Sequence, residues 1–180
     1  MDIGANVGYY TLIAAKLVGP EGRVVAIEPA PDNYARLCRN VELNYSSNVV
    51  TVPCAISDAE RNLRLSRRVT DNSGAYTLLP VGQTRESPRV RVRTLDSVLD
   101  ELAVRRVDFV KIDVEGFEFK ALSRSRIFTY QPVIVTEIYD PLLMHAESSA
   151  EQYVQLLEGR GYSVARIPRG DLNFLCISQR

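Results

Sequence analysis

The chain has 180 residues, 46% of them hydrophobic and 24% charged, and 22 Lys and Arg balance 22 Asp and Glu. That length suits a single domain of the usual ~100–200 residues, and the composition excludes a disordered polar chain and a membrane-embedded one. Zero net charge excludes a global pull toward nucleic acid or anionic lipid, so no nucleic-acid partner is expected. The three cysteines, Cys38, Cys54 and Cys176, are odd in number and lack C-x-x-C spacing, and they read as apolar fillers in a reducing, cytoplasmic setting. The first apolar run, Tyr9 to Val18, is too short to span a bilayer and follows an acidic start, so neither a membrane span nor a signal peptide is expected.

Short β-rich runs alternate with helical stretches, which predicts βαβ units and a mostly parallel sheet. Met1-Asp2-Ile3-Gly4 reads as the end of a strand. Residues 9–18 form a helix that is apolar nearly all round, as if buried, with Tyr9 and Tyr10 in the core; Gly19-Pro20 stops it. Arg23 to Glu28 is a strand, and Pro29-Ala30-Pro31 starts a helix whose Tyr34, Leu37, Cys38 and Val41 recur at i, i+3, i+4 and i+7. Val49 to Ala55 makes a third strand, irregular near Pro53.

After residue 58 the pattern changes. Leu63-Arg64-Leu65 and Arg89 to Arg93 alternate apolar and basic residues, with a turn-rich stretch around Asp71-Asn72-Ser73-Gly74 between them. This predicts a β-hairpin-like, mobile excursion at about 59–94 within one domain covering 1–180. Eight Arg against Asp71 and Glu86 over 61–94 read as a solvated strand face, because they lack the repeated aromatic interleaving that base stacking uses. A short helix follows at 94–99 with Thr94 or Asp96 as its cap, then a strand at 107–113, a helix at 115–128, a strand at 132–139 and a helix at 148–159. His145, the single histidine, falls in a loop after Asp140-Pro141. Tyr162–Ile167 and Asn173–Ser178 close the chain as a hairpin across Arg169-Gly170-Asp171. The opening strand starts at residue 1, where a central strand would span about 5–6 residues, so the chain reads as truncated at its amino end.

Asp2-Ile3-Gly4-Ala5-Asn6-Val7-Gly8 packs a strand end, a glycine turn and a helix start into seven residues, the arrangement of a Rossmann-like ligand site. The spacing lacks the third glycine of G-x-G-x-x-G and the Gly-Lys-Ser/Thr of a phosphate loop, which argues against a nicotinamide-dependent oxidoreductase. Glu28, about 20 residues on at a strand end, can accept both hydroxyls of a ribose. An acidic loop without a basic phosphate grip suits a cationic sulfur nucleoside, S-adenosylmethionine.

The segments DIGANVGYYT, AIEP, RVRTLD, VDFVKIDVEGFEFKAL and PVIVTEIY together resemble the FkbM-type S-adenosylmethionine-dependent methyltransferases. The resemblance covers nearly the whole chain. It implies an α/β, Rossmann-like class I methyltransferase fold with a seven-stranded sheet of order 3-2-1-4-5-7-6, and methyl transfer usually to a hydroxyl oxygen. It also implies that Asp2, Gly4, Asn6 and Gly8 hold the methionine end of the cofactor, Glu28 the ribose, and Ala55, Ile56, Ser57 and Asp58 the adenine.

Asp113 ends the strand that would lie beside the first one. A carboxylate there can take the proton of a hydroxyl acceptor, with Glu115 as second choice of catalytic base. Glu118 follows in the same segment, and Glu137 completes a carboxylate cluster; no metal is expected, because no further polar ligand set accompanies it. Lys111, in an apolar strand, needs a carboxylate partner, and Asp2 and Glu137 are the residues this order offers. The reading is therefore a methyltransferase acting on a small-molecule, sugar or polyketide-like acceptor. A truncated module that binds cofactor or a partner without turnover is the rival. Oligomeric state and acceptor identity are not legible.

Overall fold

The computed structural model describes residues 1–67, 76–80, 87–168 and 172–179. The turn-rich stretch at 71–74 and the turn at 169–171 lie outside the described residues. The chain forms two compact units, Met1–Ala55 with Asn62–Arg91, and Ile56–Arg61 with Val92–Arg180.

In the first unit, β1 (Asp2–Ile3) leads through a turn into α1 (Tyr9–Val18), then β2 (Val24–Ile27), α2 (Pro31–Leu43) and β3 (Val49–Val52). β1 pairs parallel with β2, Asp2 opposite Ala26 and Ile3 opposite Ile27, and β2 pairs parallel with β3. All four residues of β2 are buried, as expected for a strand covered on both faces. The predicted stripe of α2 faces inward: Leu37 packs with Ala5 and Ala26, and Tyr34 and Val41 flank them. Asn48 donates from Nδ2 to Ala15 O and Gly19 O, at 2.9 and 2.8 Å, which satisfies carbonyls at the end of α1.

α1 departs from the expectation of an all-round buried helix. Only Thr11 and Ala15 are buried, while Tyr9 is 67% and Leu17 81% exposed, and Tyr10, Ile13 and Val18 are exposed as well. The tyrosines are surface residues. The helix contacts its unit through the narrow Thr11–Ala15 face, so its apolar character does not report burial. The third strand is shorter than predicted: it stops at Val52, because Pro53 has no N–H for the ladder, and β4 (Ala55–Ile56) restarts after it.

The excursion holds β5 (Arg61–Arg64), β6 (Ser66–Arg67), β7 (Tyr76–Thr77) and β8 (Arg89–Arg93). β6 and β7 form an antiparallel ribbon, Ser66 opposite Thr77 and Arg67 opposite Tyr76.

In the second unit, Thr94 caps α3 (Leu95–Glu101) by accepting from Ser97 N. Asp96 is not the cap; it accepts from Ser125 Oγ at 2.6 Å and Arg126 N at 3.0 Å. β9 (Phe109–Ile112) follows, then α4 (Glu118–Ser123) and a 3-10 turn at Arg126–Tyr130. The single helix expected at 115–128 is thus broken, because Ser125 accepts from Ile127 N and starts a new turn. β10 (Val133–Glu137), α5 (Asp140–His145), α6 (Ala150–Gly159), β11 (Tyr162–Arg166) and β12 (Asn173–Ser178) complete the chain. His145 therefore ends a helix, its Nδ1 hydrogen-bonded to Pro141 O, and does not sit in a loop. β9 and β10 are parallel, while β12 runs antiparallel to both β10 and β11.

The seven-stranded sheet has the order β11-β12-β10-β9-β1-β2-β3. Counting only its own strands along the chain, that is 3-2-1-4-5-7-6 with one antiparallel strand near the edge, as expected. No helix among the described residues is long and apolar enough to cross a membrane.

Gly8 is the residue on which the first unit's turn most depends. It sits at φ 95°, and a Cβ there would come 2.7 Å from Leu37 Cδ1. Gly8→Ala is expected to lower unfolding free energy by roughly 1–3 kcal/mol in urea titration. An unchanged midpoint would show that the turn tolerates a side chain and is not held as described.

Candidate functional site

The turn after β1 is built from left-handed residues: Gly4, Asn6 and Gly8 have φ of 83°, 51° and 95°. Four hydrogen bonds tie it to β2 and α2. Gly4 N and Ala5 N both donate to Ile27 O at 2.9 Å, Asn40 Nδ2 donates to Val7 O at 2.8 Å, and Asn6 N donates to Glu28 Oε2 at 2.8 Å. Glu28 also accepts from Ala30 N through Oε1 at 2.9 Å, and Asn33 bonds the same carboxyl. Glu28 is only 4% exposed. Burial pushes its titration up, and the N–H donors pull it partly back. Three donors leave the carboxylate one lone pair, so a further donor such as a sugar hydroxyl can be accepted.

Asp2, buried, accepts from Thr11 Oγ1 at 2.5 Å, which binds the end of β1 to α1. No side chain caps α1, and there is no acid in its first turn, so the positive end of the helix remains available to an anionic group. Asp2, Gly4, Asn6, Gly8 and Glu28, named from sequence as cofactor residues, thus stand within one unit. Ala55 is buried at the start of β4.

Ser57 and Asp58 belong to the second unit. Ser57 N donates to Arg93 O, Ser57 Oγ donates to Asp58 Oδ1 at 3.0 Å, and Arg61 lies 3.5 Å from the same oxygen. Both residues line an open cavity of about 210 Å³ with Thr94, Asp96, Lys120 and Arg124.

Asp113 stands just past β9 with its side chain 43% exposed, and Lys111 Nζ is 3.6 Å from its Oδ2. This gives Lys111 a partner that sequence reasoning did not name. The turn that follows has Glu115 at φ 55° and Gly116 at φ 103°. A Cβ on Gly116 would meet Leu142 O at 2.6 Å, so the turn is pressed against α5 backbone.

Glu118 is the residue that sequence reasoning underweighted. It is 2% exposed, and its Oε1 accepts from Val114 N at 2.8 Å while Oε2 accepts from Gly116 N at 3.1 Å. An acid in the first turn of a helix ordinarily answers the helix dipole; this one reaches back to grip the preceding turn. The available signal was an acid two residues after a glycine that a sharp turn requires. Burial, first of all, and the nearby Asp113 charge push Glu118 up to about 8, against the pull of the N–H donors. Tyr153, fully buried on α6 with its hydroxyl 2.9 Å from Thr136 Oγ1, is pushed up by its burial and by the Glu118 charge.

One oxygen each of Asp113, Glu118 and Glu137 lies within 4.8 Å of the others. Within this cluster both Glu118 oxygens accept from backbone donors, and burial pushes its titration up to about 8. Glu115, beside it, contributes the left-handed backbone of the turn.

The model of the methyltransferase FkbM domain matches residues 2–164. Methyltransferase sdnD of Sordaria araneosa is 27% identical, over 92% of this chain and 74% of its own length. The 31-O-demethyl-FK506 methyltransferase FkbM of Streptomyces tacrolimicus is 26% identical, over 91% of this chain and 72% of its own. Among solved structures, methyltransferase FkbM from Methylobacillus flagellatus KT superposes with a TM-score of 0.62 at 18% identity, covering 98% of this chain. The chain spans 42% of the length of that solved protein.

A pH dependence of stability follows from Glu118. The folded protein keeps its proton to about pH 8, whereas the unfolded chain releases it near the ordinary carboxyl value of 4.5. Between those values the folded state binds the extra proton, so stability is greatest below the window and falls as pH rises through it. Urea midpoints taken from pH 5 to pH 8.5 should fall, by an amount equivalent to roughly 3–5 kcal/mol at most. Glu118→Gln should flatten the slope over the same range; an undiminished slope in that variant would assign the effect elsewhere.

Proposed function

The chain belongs to the methyltransferase FkbM domain family, whose methyl donor is S-adenosylmethionine, and on that basis we propose that it methylates a hydroxyl oxygen of a small-molecule acceptor of the polyketide or sugar class. The observation that carries the reading is the Glu28-gripped turn, where a buried carboxylate with spare acceptor capacity adjoins an uncapped helix start. That donor and acceptor set fits the group: a carboxylate for ribose hydroxyls, the positive end of α1 for the amino-acid carboxylate, and Gly8 where a Cβ would intrude.

When bound, S-adenosylmethionine supplies a methyl group made electrophilic by its sulfonium. Asp2, Gly4, Asn6 and Gly8 hold the methionine end, Glu28 accepts from the ribose, and Ala55, Ser57 and Asp58 flank the adenine. Ala55 opens β4, and Ser57 and Asp58 border an open cavity of about 210 Å³, which supports the last assignment. In open α/β sheets ligands lie beyond the carboxyl ends of the strands, and both Glu28 and Asp113 directly follow such an end.

The protein's task in the reaction is alignment and removal of one proton. Asp113 is the base that accepts the hydroxyl proton at Oδ, because it is part-exposed at the end of β9, with Lys111 Nζ 3.6 Å from its Oδ2. Glu115 is the alternate base. Glu118 does not serve, since its oxygens are bound and its proton retained. The hydroxyl-acceptor class rests on the similarity to a protein that acts on 31-O-demethyl-FK506.

Titration calorimetry with S-adenosylhomocysteine, S-adenosylmethionine and NAD tests the cofactor, and labelled methyl transfer to 31-O-demethyl-FK506 and methyl glucoside tests the acceptor class. Both sulfur nucleosides should bind and NAD should not. Glu28→Gln is expected to weaken S-adenosylhomocysteine by about tenfold or more, the worth of one charge-assisted hydrogen bond. Asp113→Asn should leave that affinity within about twofold while lowering turnover by about 10²–10⁴-fold. NAD binding without binding of either sulfur nucleoside overturns the proposal.

A further inference from the structure

We propose that Tyr76 is a further cofactor-binding residue, contacting the nucleoside half of S-adenosylmethionine beside Glu28. The inference deepens the function proposed above and rests on the reading of Glu28 as the ribose acceptor.

Tyr76 comes from the excursion, 48 positions beyond Glu28 in the chain, and nothing in its local sequence points to a ligand. In the described structure the ribbon that carries it is firmly seated. Leu65, Ser66, Thr77 and Leu79 are buried, Ser66 Oγ donates to Leu79 O, and Leu79 N donates to Thr77 Oγ1 at 3.1 Å. Thr77 and Leu79 thus tie residues 76–80 into the first unit. Strand alternation sends Thr77 into the buried side and Tyr76 to the other.

On that other side Tyr76 is half-buried, and its hydroxyl donates to Asp32 Oδ2 at 3.0 Å. Asp32 lies in the first turn of α2, four residues after Glu28, across the compact corner that Glu28 closes by accepting from Ala30 N. Asp32 and Glu28 sense each other's charge, and Tyr76 senses both, with Arg67 acting against them. Burial first, then the Asp32 hydrogen bond, raises the phenol's titration, so Tyr76 remains a neutral ring with a usable O–H.

A bond between two part-exposed groups adds little to a ribbon already seated by four buried residues. A phenol at this place has a better-suited chemistry. Its ring face stacks on a purine or covers a ribose, and its oxygen can accept from a sugar hydroxyl while Asp32 keeps its O–H directed. Glu28 offers acceptors only, and Tyr76 supplies the apolar face that a nucleoside also requires.

Calorimetry with two probes separates this role from a structural one. S-adenosylhomocysteine carries both halves of the cofactor, and 5′-methylthioadenosine keeps the nucleoside without the amino acid. Tyr76→Leu is expected to weaken both probes by the same factor, about tenfold, and Tyr76→Phe, which keeps the ring, by about threefold or less. A loss confined to S-adenosylhomocysteine, or unchanged affinity of Tyr76→Leu for both probes, overturns the proposal. If Tyr76→Leu fails to fold, equal affinity of Tyr76→Phe and Tyr76→His for 5′-methylthioadenosine also overturns it, since the two rings stack differently. Glu28→Gln distinguishes the premise: weak binding there with parent-like Tyr76→Leu rejects Tyr76 alone, and parent-like Glu28→Gln rejects the ribose reading. Absence of binding by either probe to the parent protein rejects both.

Discussion

The grip of a buried carboxyl group on backbone N–H donors is the interaction on which this molecule's organisation depends. Glu28 takes the N–H of Asn6 from one side and that of Ala30 from the other. The first belongs to a turn of left-handed residues that could not hold its shape through helix or strand bonds, and the second to the corner that starts α2. One side chain therefore fixes the end of β2, the entry to α1 and the entry to α2. Its burial is costly for an acid, and the N–H donors offset that cost.

The second unit repeats the device. Glu118 grips Val114 N and Gly116 N in a turn that follows β9, as Glu28 grips the turn that follows β1. Each turn also carries a glycine pressed against a leucine: Gly8 against the side chain of Leu37, and Gly116 against the backbone of Leu142. A left-handed backbone, a missing Cβ and a buried acid solve the same problem twice. Sharp turns at the ends of parallel strands must present functional groups while satisfying their own donors. The two acids differ in solvation. Glu118 is the more deeply enclosed of the two and holds its proton to about pH 8.

This arrangement divides labour between carboxylates that look alike in sequence. In the proposed chemistry Glu28 binds, Asp113 accepts a proton and Glu118 shapes the turn between β9 and α4. The division comes from environment: Asp113 is part-exposed beside Lys111, whereas Glu118 is enclosed among Val114, Gly116 and the buried face that includes Tyr153. Tyr76 and Asp32 extend the same logic, with a distant segment lending an aromatic face to a site made of acceptors.

The strands were legible because hydrophobic periodicity and glycine spacing are local properties, written within a few residues of where they act, whereas their order was what the family resemblance implied. Asp2, Gly4, Asn6, Gly8 and Glu28 could be grouped from spacing alone, since β1, its turn and β2 form one contiguous supersecondary unit. Tertiary structure alone decided which face of α1 is covered, that Ser125 would break the helix expected at 115–128, and that His145 would end a helix. It also decided the partners: Lys111 beside Asp113, Glu118 on the Val114–Gly116 turn, and Tyr76 on Asp32 across 44 residues. Partners of that kind depend on how separate segments come together in space, and a side chain's identity states what it can bond with but not what will stand beside it.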